Sequence, residues 1–421
     1  MTAPSTVSVI GLGYIGLPTA AILACSGVRV FGCDIKASTV DAVNQGILPF
    51  AEPDLAEHLR QAVDTGMLTA SRDLSDAEAF IIAVPTPLIS ATKKADLTFV
   101  RDAARAIAAK AQAGSLVILE STSPPGTTER IGQWITELRP DLRGDDGAPH
   151  LLLAHCPERV LPGRIMVELV SNDRVVGGTT PEAAARGKEL YKVFCDGQIL
   201  TTDARTAEMA KLVENSYRDV NIAFANELSL VCDALGVDVW ELITLANHHP
   251  RVNILQPGPG VGGHCIAVDP HFIVEADPEH TRLIATAREV NDAKPNWVVQ
   301  QVRAAVAGKS APVIAALGLA FKPDVDDLRE SPAIAVVDKL AAALPSARIR
   351  TVEPHVHTLP SALAAYPHIT LTTLDEAIKG ADAIVLLVNH KAFATPPTIP
   401  PTTPIIDTRG AWGGGRVAAG S

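Results

Sequence analysis

The chain has no charged side chain before Arg29, no C-x-x-C pair among its cysteines and no excess of basic residues. Each absence excludes something. An uncharged, apolar start resembles a membrane span, but Gly11, Gly13, Gly16 and Pro18 punctuate it and no basic residue precedes it as in a secretory signal. A strand, a tight turn and a buried helix are predicted there, with no membrane insertion. Cys25, Cys33, Cys156, Cys195, Cys232 and Cys265 are scattered, which suggests neither a zinc site nor a disulfide framework; a reducing cytoplasm is the expected setting. A formal net charge of −11 argues against nucleic acid as a partner.

What is present is the material of a globular enzyme. Of the 421 residues 47% are apolar and 20% charged, too long a chain for one ordinary core, so about two or three domains are expected. Apolar runs at Val7–Ile10, Val28–Cys33, Phe80–Val84, Leu116–Leu119, Leu151–Ala154 and Arg174–Val176 read as strands with helical patterns between several of them, the signature of a parallel sheet covered on both faces. From Asp203 to Leu235 one helical pattern runs without Pro or Gly, and more helix follows to about Ala307. A helix this long usually links domains or packs on a partner subunit. The β/α alternation then resumes, with strands predicted at Val313–Leu317, Arg348–Val352, Ala383–Val388 and Pro404–Ile406. This last part echoes the first: Val313–Leu319 repeats the pattern of Val7–Gly13, and Glu353 ends a strand much as Asp34 does. The expected fold is α/β, two doubly wound, Rossmann-like parallel-sheet domains joined by a long central helical connector. The expected boundaries are 1–202, 203–307 and 308–421, with a surface loop at Thr395–Pro404 and a tail that frays after Trp412.

Gly11-Leu12-Gly13-Tyr14-Ile15-Gly16 follows the first predicted strand and opens the first helix. In a dinucleotide-binding turn the first glycine makes the tight bend, the second admits the pyrophosphate and the third lets helix pack on strand, with the helix N-terminus facing the phosphates. Asp34 ends the next strand at the interval where a carboxylate bonds a ribose 2′-OH and repels a 2′-phosphate, so NAD is favoured over NADP. Val84–Pro87 and Glu120–Gly126 also follow strands, where the carboxyl ends of a doubly wound sheet face a ligand.

Cys265 lies in the glycine-crowded run Gly258–Asp269. A thiol beside a nicotinamide cofactor can hold an aldehyde covalently while it is oxidised again, to the acid; the same thiol in a Gly-rich turn is also what a buried structural cysteine looks like. Lys211 and Asn215 are four apart on the long helix and share a face, as do Glu214 and Arg218; a solvated helix face with ordinary ion pairing shows the same spacing. Glu158, in Cys156–Gly163 after another strand, reads either as a general base for water or as a capping or surface acid. His248, His249 and His264 have no acidic or cysteine partner at ligand spacing, so no metal is expected. Lys322 and Arg329, in Phe321–Ser331, are placed to meet phosphate or carboxylate groups, or stand in a charged solvated loop.

Taken in order, Gly11–Gly16, Glu120–Gly126, Cys156–Gly163, Ala207–Lys211 through Asn215, Gly260–Asp269 and Phe321–Ser331 resemble the UDP-sugar 6-dehydrogenases of the UDP-glucose/GDP-mannose dehydrogenase family, over essentially the whole chain. That resemblance implies a four-electron, NAD-dependent oxidation of a UDP-sugar at C6, through an aldehyde and a Cys265 thioester. It implies that Lys211, Asn215 and Asp269 hold the C6 oxygen, that Glu158 helps activate water and that Thr122 lies near the reacting centre. It implies Gly11, Gly13, Tyr14, Ile15, Gly16, Asp34, Thr86, Thr127 and Arg329 around NAD, and Arg159, Val160, Lys211, Asn215, Arg218, His249, Arg251, Gly262 and Lys322 around the UDP-sugar. A homodimer through the central helices is also implied, with Arg251 reaching a neighbour's site.

Within the family, Cys156–Arg164 and Asn247–Ile254 resemble the branch acting on UDP-N-acetyl-D-mannosamine, Arg159 and Val160 standing where UDP-glucose enzymes usually carry an aromatic residue. UDP-N-acetylglucosamine or UDP-glucose with the same mechanism is the alternative. His264 stands where a small residue is common elsewhere in the family, and the sequence assigns it no role. A 3-hydroxyacid dehydrogenase also pairs a nucleotide fold with Lys and Asn four apart, but performs one hydride transfer and needs no thiol; Cys265 and the third domain argue against it. A non-enzymatic NAD sensor would not need Lys211, Asn215, Cys265 and Asp269 together.

Overall fold

The computed structural model describes residues 3–413 apart from 51, 146 and 162, so the tail expected to fray lies outside the described residues from 414 on. The chain divides into two compact units, residues 1–214 with 271–278, and residues 215–270 with 279–421.

The first unit is built on strands β1 (Thr6–Ile10), β2 (Arg29–Cys33), β3 (Leu68–Ser71), β4 (Ala79–Ile82), β5 (Leu116–Leu119), β6 (Leu152–His155), β7 (Arg174–Gly178) and β8 (Ile199–Asp203). They form one sheet in the order β8-β7-β6-β5-β4-β1-β2-β3. Strand side chains alternate between two buried faces. Ala79 and Ile81 join a core with Leu17, Leu23 and Leu59, whereas Phe80 and Ile82 join one with Val100, Ile107 and Ile131. This is why the central strands read as continuous apolar runs. The pairing is parallel except where β6 meets β7, with Ala154 opposite Gly178 and His155 opposite Gly177, a departure from the all-parallel expectation.

The second unit holds the end of helix Ala204–Leu235, helices Val239–Ala246 and Arg282–Ala305, and a five-stranded parallel sheet. Its strands are β9 (Val313–Leu317), β10 (Arg348–Val352), β11 (Ile369–Leu371), β12 (Ala383–Leu386) and β13 (Ile405–Asp407), in the order β11-β10-β9-β12-β13. Both sheets reverse strand order beside their first strand, the switch point at which doubly wound folds bind ligands. Thus the fold is the expected one, two Rossmann-like sheets with a helical connector. β3, β8 and β11 were not legible in the sequence. All three are edge strands that bury a single residue each, too few for a readable pattern.

The internal echo is visible atom by atom. Gly11 and Gly318 both take left-handed backbone, at φ 93° and 92°, and each donates its N–H to the last carbonyl of the next strand, Cys33 and Val352, at 2.8 Å. The next N–H in each turn, Leu12 or Leu319, donates to the acid that ends that strand, Asp34 at 2.9 Å or Glu353 at 2.7 Å. No helix among the described residues is long and apolar enough to cross a membrane.

Candidate active site

In the first unit the glycines of the first turn do three different things. A Cβ on Gly16 would sit 1.9 Å from the Gly11 carbonyl oxygen, and one on Gly11 would sit 2.5 Å from the Ala83 oxygen, so both positions are closed by backbone. A Cβ on Gly13 would meet nothing within 4 Å, and Gly13 is exposed. That is the cradle a pyrophosphate requires, open at the second glycine and tight at the first and third. Asp34 accepts N–H bonds from Leu12 and Lys36, both at 2.9 Å, which holds its half-exposed carboxylate at the strand end with lone pairs left for a ribose hydroxyl. Tyr14 is exposed and stacked on Phe50 at 4.3 Å, and Ile15 is half-buried at the helix start.

Two loops beyond the sheet are tied together. The Thr86 hydroxyl donates to the Thr122 carbonyl at 2.5 Å and the Ser121 hydroxyl to the Val84 carbonyl at 2.7 Å. Thr127 is buried, its hydroxyl donating to the Pro124 carbonyl at 2.6 Å. It opens helix Thr127–Leu138, whose start is occupied by a residue the sequence reading did not single out. Glu208 accepts from the Gly126 and Thr128 N–H groups at 2.5 and 2.8 Å and from the Thr128 hydroxyl at 2.6 Å. An acid at a helix N-terminus is favoured by the dipole and the exposed donors. The only signal for it was its place inside Ala207–Lys211.

Glu158 sits in a buried network. Its Oε1 accepts the Arg159 N–H at 2.8 Å and its Oε2 the Arg174 guanidinium at 3.1 Å. Arg174 is buried and lies over the rings of Tyr191 and Phe194, 5.0 and 5.2 Å from their centres. Behind it, Tyr191 donates to Glu120 at 2.7 Å and Thr19 donates to the other Glu120 oxygen at 3.2 Å. Burial, and next the charge of Glu158, push the Glu120 carboxyl up to about 7 against the pull of Tyr191, Arg174 and Thr19. Burial raises the neighbouring Cys156 thiol to about 12, so that cysteine is inert. Arg159 does not point into open space. It pairs with Glu214 at 2.8 Å and donates to the Asp173 carbonyl at 2.5 Å. Val160 is half-buried in the core around Tyr191, and Glu52 receives the Gly163 and Ile165 N–H groups, both at 2.9 Å. Sequence reasoning quoted Glu120 only as the start of Glu120–Gly126 and did not single out Arg174 or Glu52, because the partners of all three lie elsewhere in the chain. Lys211 is half-buried on the long helix, one turn before Asn215.

In the second unit three of the expected catalytic residues come together. The buried Asn215 amide donates to the buried Asp269 carboxylate at 2.6 Å, and the Asp269 N–H donates to the Cys265 carbonyl at 2.8 Å. The loop before the cysteine lies flat on its neighbours. A Cβ on Gly262 would strike the Glu330 carbonyl oxygen at 2.5 Å, and one on Gly263, at φ 82°, would meet the Phe321 ring at 2.9 Å. The glycine-rich run and Phe321–Ser331 are therefore packed against one another. Further back, the Gly258 N–H donates to Asn226 at 2.9 Å, Asn226 donates to Asn291 at 2.8 Å, and Asn291 donates to Asp219 at 2.8 Å. Cys265 is half-buried, and the His264 Nδ1 lies 3.1 Å from its sulfur.

The remaining expected residues are more open. Lys322 is half-buried with its ammonium 5.6 Å from the Phe321 ring centre, and the exposed Arg329 bonds Asp327 at 2.6 Å. Arg218, His249 and Arg251 are exposed, the last donating its N–H to the His249 Nδ1 at 3.3 Å. One group of potential metal ligands occurs among the described residues: Asp324, His355 and His390, with ligand atoms within 4.8 Å of one another. It does not fit a metal, because both His390 nitrogens are in use. Nδ1 accepts the Asp324 N–H at 2.9 Å, so Nε2 carries the proton and donates it to Glu353 at 3.0 Å.

Comparison with known proteins places this geometry in context. Residues 5–195, 205–293 and 315–414 match in turn the NAD binding domain, the central domain and the UDP binding domain of the UDP-glucose/GDP-mannose dehydrogenase family. The chain is 52% identical, over 98% of each protein, to an NDP-N-acetyl-D-galactosaminuronic acid dehydrogenase of Ralstonia nicotianae. It is 55% identical to a UDP-N-acetyl-D-mannosamine dehydrogenase of Escherichia coli (strain K12), over 92% of this chain and 94% of that protein. A solved UDP-D-ManNAc dehydrogenase of Pyrococcus horikoshii is 38% identical over 96% of each chain, with a TM-score of 0.84.

Proposed function

The chain belongs to the UDP-glucose/GDP-mannose dehydrogenase family, and from that premise we propose that it oxidises the C6 hydroxyl of UDP-N-acetyl-D-mannosamine to the uronate with two equivalents of NAD. NAD, when bound, supplies the hydride acceptor for each oxidation. The chain's own residues do the rest. Lys211, Asn215 and Asp269 hold the C6 oxygen and manage its proton. The Cys265 sulfur forms a bond to the aldehyde carbon, giving a thiohemiacetal whose oxidation leaves a thioester. Glu158 accepts a proton from water as that water attacks the thioester carbonyl, and the C–S bond breaks to free the uronate and the thiolate. Thr122 lines the reacting centre.

The observation that carries this reading is the Asn215–Asp269 hydrogen bond of 2.6 Å, with Asp269 in turn bonded to the backbone of Cys265. An oxygen-holding pair whose acid is hydrogen-bonded to the backbone of the nucleophile suits an alcohol that must become a thioester. Gly13, open at the second position of the phosphate turn, and Asp34 at the strand end support the NAD assignment. A homodimer is supported by Tyr217, Phe224, Val231 and Leu235, which leave an apolar stripe exposed along one helix at spacings that keep one face. Six unbridged cysteines suit a reducing cytoplasm.

The Ralstonia relative, named for an N-acetylgalactosaminuronic acid, gives the competing reading a definite form: the same chemistry on the other 2-acetamido sugars. A pocket shaped for the axial acetamido group of mannosamine leaves an equatorial one clashing or unpaired, at about 1–3 kcal/mol, or roughly ten- to hundredfold. The test is kcat/KM for the UDP-linked N-acetyl derivatives of mannosamine, glucosamine and galactosamine and for UDP-glucose, with NADH counted per sugar. The expected order puts mannosamine first and glucose last, at two NADH each. Preference for another sugar at two NADH overturns the substrate alone; one NADH per sugar overturns the mechanism.

A further inference from the structure

His264 immediately precedes the nucleophile, and the reaction as derived above gives it nothing to do. Its position is held from both sides. Gly262 and Gly263 are packed against the Glu330 carbonyl, Pro332 and the Phe321 ring, where no Cβ fits. On the far side the Cys265 carbonyl accepts the N–H groups of Val268 at 3.0 Å and Asp269 at 2.8 Å. Between these two anchors the imidazole Nδ1 comes to 3.1 Å from the Cys265 sulfur, within hydrogen-bond reach for a sulfur. The Phe321–Ser331 segment also sets the field around the imidazole. Asp327 lies close enough for the His264 charge to be felt at its carboxyl; burial raises that carboxyl, but bonds from Arg329, the Arg329 charge and the His264 charge together hold it below its ordinary value. Asp327, an anion paired with Arg329 at 2.6 Å, adds a negative charge whose field favours imidazolium at His264.

We propose that His264 is a catalytic residue in its own right, the proton acceptor for the Cys265 thiol. The proposal rests on the reading of Cys265 as the covalent nucleophile. The S–H bond breaks, the proton passes to Nδ1 and the electron pair stays on sulfur. That pair then forms the C–S bond as the carbonyl π pair moves onto oxygen. When water later cleaves the thioester, the departing thiolate is received beside an imidazolium. An ordinary thiol is only a few per cent thiolate at neutral pH, so an adjacent base at 3.1 Å changes the supply of nucleophile directly. The aldehyde is reactive and released easily if not trapped, so a fast capture step keeps both oxidations on one protein.

The thiol can be interrogated without substrate. The rate of Cys265 alkylation by iodoacetamide is followed from pH 5.5 to 9.5 in the full-length protein, with the modified peptide identified by mass. His264→Ala and His264→Asn are compared with the unmodified chain. The expected result is an alkylation profile that starts below the ordinary thiol range and moves up in both variants, with about three- to tenfold slower alkylation at neutral pH. Added imidazole should restore the His264→Ala rate, which a merely structural role for the ring does not predict. Superimposable profiles in all three proteins would overturn the proposal. Cys265→Ser separates this failure from failure of the underlying reading. If the serine protein still yields two NADH per sugar, the thiol is not the nucleophile at all. If it does not, while the alkylation profiles coincide, only the role of His264 is lost.

Discussion

At the scale of single residues, this chain places ionisable groups where their surroundings decide their charge. Asp34 is spent partly on its own backbone, receiving Leu12 and Lys36 N–H bonds at 2.9 Å. Asp34→Ala should therefore weaken NAD binding twice over, by removing a ribose contact and by loosening the phosphate turn, while relaxing discrimination against NADP. Cofactor titrations with both nucleotides measure this; equal efficiency with NADP in the unmodified protein would contradict it. Glu120 is an acid with a folded pKa raised by burial to about 7 from an ordinary 4.5. Below the ordinary value both folded and unfolded forms are protonated and nothing is lost. As pH rises toward 7 the unfolded chain releases the proton and the folded chain keeps it, so stability falls across that window by an amount on the order of 3 kcal/mol. Glu120→Gln should then melt higher relative to the unmodified protein at pH 8 than at pH 5. A difference in Tm independent of pH would show that Glu120 is ionised throughout.

Elements are joined here by polar seams as well as by apolar cores. Helices Ala204–Leu235 and Arg282–Ala305 meet in the second unit through Asp219 with Arg288 at 2.6 Å, Asn226 with Asn291 at 2.8 Å and Ser229 with Lys294 at 2.5 Å. Burial lowers Lys294 to about 7, so even its charge is conditional. The seam ends on the Gly258 N–H, at the start of the cysteine loop. Asn226→Ala should leave that N–H and the Asn291 amide without their partner, at about 1–3 kcal/mol each. Urea unfolding of the variant should show the loss, and turnover should fall more than substrate binding as the loop loosens. Unchanged stability with unchanged turnover would mean that water replaces the asparagine at no cost.

For the whole molecule, what matters is an apolar stripe along one long helix. Tyr217, Phe224, Val231 and Leu235 are between 47% and 72% exposed on one long helix, more apolar surface than a solitary helix leaves to water without reason. The proposed homodimer covers it. Phe224→Asp should shift the sedimentation of the protein from dimer toward monomer, since a charge in such an interface has no partner. A single monomeric species before any substitution would remove the dimer from the account.

The nucleotide turn, the acid that ends the second strand, the cysteine loop and the two runs of β/α alternation are local patterns, set by residues within one strand–turn–helix stretch, and for that reason the sequence alone determined them. Gly11, Gly13 and Gly16 have separate tasks that follow from backbone geometry over six residues. The edge strands β3, β8 and β11 escaped, since each buries a single residue and so carries no readable apolar run. The anchors of the site escaped for a different reason. Glu208 on Thr128, Arg174 on Glu158, Glu120 on Tyr191 and Asn226 on Gly258 join positions 16 to 80 residues apart. His264 was adjacent to Cys265 in the sequence from the start, yet adjacency does not say which way a side chain turns. Only the packing of Gly262 and Gly263 on Phe321 and Glu330 decided that the imidazole faces the sulfur, because contact between side chains is a property of folded surfaces and not of chain order.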